Sequence, residues 1–521
     1  MSIDPRIETG LRWATMRQVV TGVVGTVGAL AYTRFLQPED LGMFGLAFLV
    51  YNGLFLLVEA PIRDAVVYYQ NQEETHSSAA FWLLAVFAIL AVTLVMIFAD
   101  AWAQFYQSPL AAPLTRAMAV AFLFQAAAVV PAGLLLKRFQ FAIHEGLQTL
   151  YELVLFAGWV TLSLAGFGPW ALVLPIIAGA IFWSATTWVA SQFRPMLHPG
   201  RAGYRDILRF SKSLFGSKLI LYLNANLDNA AVGTLGGTAL GWYNLGESQA
   251  AYGGVVVGAT VAQIALPAMA AVQDRLAQLK QIYLEMLRLA ATLSTPMQIG
   301  ALVLADLMLA FFLGEQWLGA VPVLRAYLVL WLVRTLLQIC DAVTSATGRP
   351  VVRFAVDLAQ LPFFVAGIWV GLTVWGGIAG VAWALAVVRS VAGLVYFALT
   401  MRITHTSPRD VFRFLMPSSF AGIVMGLIVY AARDSGIIQR WTAAISPSII
   451  AEGLNLAALI LTGVASYFAV LFAVDRPGFR AVVVLVWQIL LPAAWRARLL
   501  AMARRLPNGI HRKTLSANPR E

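Results

Sequence analysis

Fourteen apolar stretches, each about as long as a helix that crosses a bilayer, divide this chain, and the basic residues between them fall almost wholly in every second connector. A hydrocarbon layer of roughly 30 Å takes about 20 helical residues, because each advances the helix by about 1.5 Å. The expected spans are 13–32, 41–61, 79–98, 117–136, 147–165, 170–191 and 213–235, followed by 240–269, 290–313, 320–343, 354–374, 378–400, 414–432 and 450–474. A composition that is 60% hydrophobic and only 12% charged excludes a water-soluble globule of this length. The fold class that follows is an all-α polytopic membrane protein.

Orientation is read from lysine and arginine, which are retained on the cytoplasmic side of a span. With the N-terminus inside, 27 of the 36 basic residues lie in the termini and inward connectors and five lie within spans. Only Arg34, Arg116, Arg433 and Arg440 remain outside. Trp102, Trp170, Trp242, Trp317, Trp375 and Trp441 collect at the outer ends, as an interfacial aromatic belt does. The expected location is therefore a bacterial inner membrane, crossed many times, with both termini cytoplasmic. The net charge of +11 reflects this topology and contact with anionic lipids rather than nucleic acid. No cleavable signal is expected, since the first apolar segment is interrupted by Arg17. Cys340 is the only cysteine, which excludes an intrachain disulfide and a thiolate metal cluster. All five histidines fall in the expected cytoplasmic connectors or tail.

Leu36, Leu41, Gly42, Met43, Phe44 and Leu46 recur 199 positions later as Leu235, Leu240, Gly241, Trp242, Tyr243 and Leu245. That offset covers six spans, an even number, so the copies share an orientation and a pseudo-twofold axis along the membrane normal. Two readings are open: an internal repeat, or a common way of re-entering a membrane after a tight turn. The repeat divides the chain into six-helix bundles at 1–200 and 201–400, an extra helix pair at 401–475, and an interfacial helix with a basic tail at 476–521.

No metalloprotease, P-loop or nucleophile-elbow motif occurs in a supporting context, and no long outward connector could hold a catalytic site. The expected catalytic and metal residues are none, and no cofactor is expected. What remains are ionisable groups inside spans: Arg17, Lys218, Arg325, Arg334 and Arg389, with Glu59, Glu152, Asp228, Glu247, Asp306, Asp341, Asp357 and Glu452. At about 2.5–3.5 kcal/mol for a charge at the bilayer centre, five basic groups facing lipid are far less favourable than a wet cavity between bundles. Arg17, Thr21, Gly25, Gly28 and Tyr32 share one helical face, and Lys218, Tyr222, Asn226 and Asn229 share another. Under the repeat these faces should meet across the axis. The pairs Arg334 with Asp341 and Arg353 with Asp357 read equally as structural ion pairs or ligand contacts, and Gly22, Gly25 and Gly28 read as a helix-packing track.

The residues 12–28, the stretch Arg34-Phe35-Leu36-Gln37-Pro38-Glu39-Asp40-Leu41-Gly42-Met43-Phe44 and its weaker copy at 235–245 resemble the multidrug, oligosaccharidyl-lipid and polysaccharide (MOP) exporter superfamily, and within it the Wzx-type polysaccharide flippases. The resemblance implies two bundles around a central cavity that moves an undecaprenyl-pyrophosphate-linked oligosaccharide from the inner to the outer leaflet by alternating access. It implies a secondary transporter rather than an enzyme. Its partners would be membrane lipids, a polysaccharide polymerase and chain-length proteins, and a monomer is expected. Guanidinium groups suit a pyrophosphate, so the resemblance makes Arg17, Lys218, Arg325, Arg334, Arg389 and Asn226 the substrate candidates. Glu59, Asp228 and Glu247 are the candidates for coupling to H+ or Na+. Alternatives are a lipid II flippase, a MATE-like multidrug exporter and, from another class, a membrane polysaccharide polymerase.

Overall fold

The computed structural model describes residues 28–56, 60–69, 71–442 and 448–480, with Trp13, Met16, Arg17, Val20, Val24 and Gly25 of the preceding segment. Among the described residues the chain is helical and without strands. The first bundle contains α1 (28–35), α2 (Pro38–Leu54), α3 (Ala60–Tyr68), α4 (Glu73–Phe105), α5 (Ala111–Lys137), α6 (Phe141–Leu164) and α7 (Trp170–Ser191). A 34-residue helix, α8 (Gly200–Gly233), leads into the second bundle. That bundle holds α9 (Gly237–Ala270), α10 (Leu276–Phe312), α11 (Val321–Ala346), α12 (Val351–Val370) and α13 (Gly377–Ile403). Last come α14 (Pro408–Asp434), the short α15 (Ile437–Thr442) and α16 (Ser448–Val474).

Local chemistry sets these boundaries. Pro38 opens α2 where its missing N–H is no loss, and the Asp40 carboxylate accepts from the Gln37 N–H at 2.9 Å. Ser407, Pro408 and Asp410 start α14 in the same way, the Ser407 Oγ accepting from the Asp410 N–H at 3.2 Å. Between α12 and α13 the chain reverses through Gly376 and Gly377, at φ 75° and 64°, a backbone region that disfavours a side chain.

Ten helical runs among the described residues are long and apolar enough to cross a membrane, and the protein is a multi-pass membrane protein. One of them, Val351–Ile403, contains the Gly376–Gly377 reversal and so includes both α12 and α13. Helix also occupies most of the described residues of every other expected span. Three expected spans fall outside the ten: 13–32 is described only in part, α2 has only 17 residues, and α8 carries Arg201, Arg205, Asp206, Arg209, Lys212, Lys218 and Asp228.

One apolar core lies within the first bundle, and another is centred in the second but continues into Leu46 and Leu49 of α2 and Ala103 of α4. Leu114, Met118, Phe122, Val130 and Leu134 of α5 are buried against α2, α4 and α7 in the first. Trp317, Tyr327, Leu330 and Leu385 centre the second. Helix α8 joins the two, packing on α3 and α4 and then on α9, α12 and α13. The bundles meet directly where α2 crosses α9. A Cβ on Gly42 would sit 1.8 Å from the Gly237 carbonyl oxygen, and one on Gly241 would sit 1.7 Å from that of Pro38. Gly42 and Gly241 are equivalents under the 199-residue offset, as are Pro38 and Gly237. The contact is thus reciprocal, as a twofold axis between the helices requires, and this favours the repeat over a coincidence of turns.

Beside this crossing the first bundle grips the second by polar contacts. The Arg34 guanidinium donates to the Phe311 and Phe312 carbonyls at 2.9 and 3.3 Å, satisfying the C-terminal end of α10. The Trp317 indole donates to the Thr33 carbonyl at 3.1 Å, and the Gln316 amide to that of Arg34 at 3.3 Å. Toward the Leu54 end of α2 the contacts run through α8: the Tyr69 hydroxyl donates to the Asp206 carbonyl at 3.2 Å, the Ser211 hydroxyl to that of Pro61 at 3.3 Å, and the Tyr222 hydroxyl to that of Leu49 at 3.0 Å.

Helices α14 and α16 dock on α10, outside both bundles. Arg433 binds Asp306 through two bonds, at 2.5 and 2.9 Å, and Tyr467 donates to the Thr292 carbonyl at 2.8 Å. Residues 481–521, which include the expected interfacial helix and basic tail, and Glu59 lie outside the described residues.

Candidate substrate cavity

Two hollows flank α8. The larger, about 510 Å³, lies between the bundles, lined by α1, α2, α8, α9 and α11. The second, about 440 Å³, lies within the second bundle between α8 and α11–α13. Ala225, Glu247 and Arg334 line both, so the hollows adjoin at one acid and one base.

Arg334 is exposed at this junction, its guanidinium 5.1 Å from the Trp331 ring. Of the five cations expected within spans it is the one that has no carboxylate partner among the described residues, and its contact with Trp331 leaves its five N–H donors free. In a hydrated hollow bounded by low-dielectric walls, such a group attracts an anion more strongly than it would in bulk water.

Behind the junction is a closed polar network. Asp228 is fully buried, and its Oδ2 accepts from the Tyr243 and Tyr327 hydroxyls and from Arg389, each at 3.1 Å. Arg389 also donates to Glu247 at 3.3 Å and to the Asn224 carbonyl at 2.9 Å, while its guanidinium lies 4.9 Å from the Phe364 ring. The network draws on α8, α9, α11, α12 and α13. A buried carboxylate this well supplied with donors is a structural element. Glu247 differs, because it reaches both hollows and meets Arg389 through one oxygen.

The other expected residues lie elsewhere. Arg17 faces α6 of its own bundle, bound to Glu145 at 2.7 Å and Glu152 at 2.9 Å. Lys218 lies 3.5 Å from Asp64 on α3. The two cations therefore do not meet across the axis, each finding acids of the first bundle, whereas Tyr32 of the one face and Asn226 and Asn229 of the other line the same central hollow. Arg325 pairs with Asp306 at 3.4 Å, the carboxylate that also binds Arg433, and joins α11 to α10 away from both hollows. Asp341 pairs with Arg353 at 3.4 Å and not with Arg334; Arg353 also holds Asp357 at 2.9 Å. Gly25 and Gly28 lie against Phe156, as a packing track should. Asn226 does line the central hollow, where its Oδ1 accepts from Asn52 at 3.3 Å.

Several lining residues escaped sequence reasoning. Asn244, Ser248, Ala251 and Tyr252 line the hollow from α9 beside the expected Glu247, at helical steps of three and four that would have marked one face. Tyr243 was legible only as part of the repeat, and Tyr327, a single aromatic in the run Ala326–Leu330, gave no signal. No group of three or more potential metal ligands occurs among the described residues.

The helical fold is shared with solved membrane transporters. The fold matches the lipid II flippase MurJ in its inward closed conformation, with a TM-score of 0.71 at 13% identity over 89% of this chain and 98% of that one. It also matches an inward-facing multidrug resistance MATE family transporter of the MOP superfamily, at 0.56 and 15% identity over 75% and 98%. Residues 31–322, more than half of the chain, match the family described as polysaccharide biosynthesis protein, and the chain belongs to that family. It is 23% identical over 423 residues to lipopolysaccharide biosynthesis protein WzxC of Escherichia coli (strain K12), covering 79% of this chain and 84% of that protein. Teichuronic acid biosynthesis protein TuaB of Bacillus subtilis (strain 168) is 23% identical over 447 residues, covering 82% and 89%.

Proposed function

We propose that this protein carries an undecaprenyl-pyrophosphate-linked oligosaccharide repeat unit from the inner to the outer leaflet of a bacterial inner membrane, by alternating access, for export of a surface polysaccharide. The observation that carries the proposal is the unpaired Arg334 in the cavity between the bundles. A pyrophosphate is a multivalent anion, and a guanidinium with free donors can bind it bidentately. The family's role in polysaccharide biosynthesis supports a sugar cargo.

Glu247 is the residue proposed to carry the coupling H+ or Na+. It alone of the three candidates both lies among the described residues and faces the cavity; Asp228 is enclosed behind Arg389. During return, a proton or sodium ion would take the place of the Arg389 contact. The electrical field also helps an anion leave a negative interior, by roughly 2.3 kcal/mol per charge per 100 mV if it crosses the whole field.

The test is deletion of the gene followed by assignment of the lipid-linked sugar to a leaflet. The proposal expects cytoplasm-facing accumulation, loss of surface polymer, and rescue by wild type but not by Arg334→Ala. Lysis on depletion with surface polymer retained would instead identify lipid II as the cargo.

A further inference from the structure

The central hollow is lined by five side-chain amides, an unusual density for a cavity at membrane depth. Two are engaged with protein: Asn52 donates to Asn226 at 3.3 Å, and Asn226 to the Tyr222 carbonyl at 2.9 Å. The other three are Asn229 of α8 and Asn244 and Gln249 of α9. The Oδ1 of Asn229 is buried without a hydrogen-bond partner. The side chains of Asn244 and Gln249 have none among the described residues. A buried carbonyl oxygen without a donor, as on Asn229, is unfavourable, and the half-buried Asn244 and Gln249 beside it leave donors and acceptors free on the hollow wall; together they suit a ligand that supplies both. An amide offers both in turn, which matches hydroxyl and N-acetyl groups; a carboxylate or phosphate can only accept. Tyr252, 43% exposed, adds a flat apolar face on the same wall.

Charge narrows the ligand further. Apart from tyrosines, the ionisable groups lining this hollow are Arg334 and Glu247. Arg334 is assigned to the phosphate, so a second anion on the bound sugar would find only Glu247, a like charge in a weakly screened site.

We infer that Asn229, Asn244, Gln249 and Tyr252 form a subsite for the sugar next to the phosphate, and that this sugar is neutral, a hexose or N-acetylhexosamine rather than a uronic acid. This rests on the cargo proposed above and adds what that proposal leaves open, the residues that discriminate among sugars.

The experiment measures binding of three lipids to the full chain in nanodiscs: undecaprenyl pyrophosphate, the same lipid bearing a neutral hexose, and the same lipid bearing a hexuronic acid. The wild type binds the hexose lipid at least about tenfold more tightly than either of the others. The triple variant Asn229→Ala, Asn244→Ala, Gln249→Ala loses that preference and keeps its affinity for the sugarless lipid. The single variant Gln249→Ala, at a half-exposed position, weakens hexose-lipid binding about 2- to 10-fold, the range for one neutral hydrogen bond. Equal binding of hexose and hexuronic lipids, or unchanged hexose preference in both variants, overturns the subsite. If none of the three lipids binds, the cargo reading itself is overturned, and the subsite with it.

Discussion

Arg389 and Arg334 lie on facing helices of one bundle, yet they do different work, and substitution separates them. Arg389 neutralises the buried Asp228, so Arg389→Ala leaves a carboxylate without its counter-charge and should destabilise the protein by about 3–5 kcal/mol. Adding Asp228→Asn should recover a large part of that loss, a coupling that a double-mutant cycle on detergent-solubilised protein would measure. Arg334→Ala removes no ion pair and should leave the melting temperature near wild type. It should weaken binding of undecaprenyl pyrophosphate about 10- to 100-fold, the range for charge-assisted hydrogen bonds. Glu247→Gln should retain binding while transport in proteoliposomes stops responding to imposed H+ and Na+ gradients; an undiminished response would exclude Glu247 from coupling. The residue-level site was only partly legible in the sequence. Helical spacing shows which side chains share a face but not what that face meets. Arg17 was misplaced for this reason, since its acids Glu145 and Glu152 are more than 120 residues away. Arg334 was identifiable as a charge within a span. Its freedom became visible only when Arg353 was seen to take Asp341.

At the scale of elements, α2 and α9 form a crossing whose closeness depends on two glycines. Gly42→Val or Gly241→Val places a branched side chain where even a Cβ would overlap a carbonyl oxygen, so the helices must part at the Pro38 end. Spin-label distances between the Pro38 end of α2 and the Phe312 end of α10 should lengthen in either variant. Arg34→Ala should act in the same direction more weakly, because it removes two bonds and leaves that of Trp317 to Thr33. The native protein suits such labelling, having one cysteine, Cys340, and that one buried. Distances unchanged in all three variants would show that this end is not held by these contacts. Helices themselves were the most legible feature: apolar length located them, and Pro38, Ser407 and Gly376–Gly377 show why they start or reverse where they do. The repeat was legible as a faint Leu-Gly-aromatic echo, and its reciprocal contact gives that echo a physical cause. For α8 the expected span 213–235 located only the second half; its charged start at Gly200 and its place linking both bundles and walling both hollows were not legible from hydropathy.

For the whole molecule, the distribution of charge is the unifying fact. Nearly every ionised side chain at span depth is matched by an opposite charge within its own bundle or on the appended helices, as in Arg17 with Glu145 and Glu152, and Arg433 with Asp306. Matched pairs leave little net field inside the protein, so a single unmatched guanidinium at the junction of two hollows dominates what a multivalent anion would encounter. Family membership sets the surrounding biology as polysaccharide synthesis, and the fold supplies two bundles that meet at the glycine crossing. The decisive measurement is leaflet-to-leaflet movement of an undecaprenyl-pyrophosphate-linked oligosaccharide in proteoliposomes, comparing wild type with Arg334→Ala at matched melting temperature. Rapid movement with the wild type and a fall toward the rate of protein-free liposomes with the variant is the result predicted here. Movement in the variant at the wild-type rate, or none above protein-free liposomes with either, would contradict it.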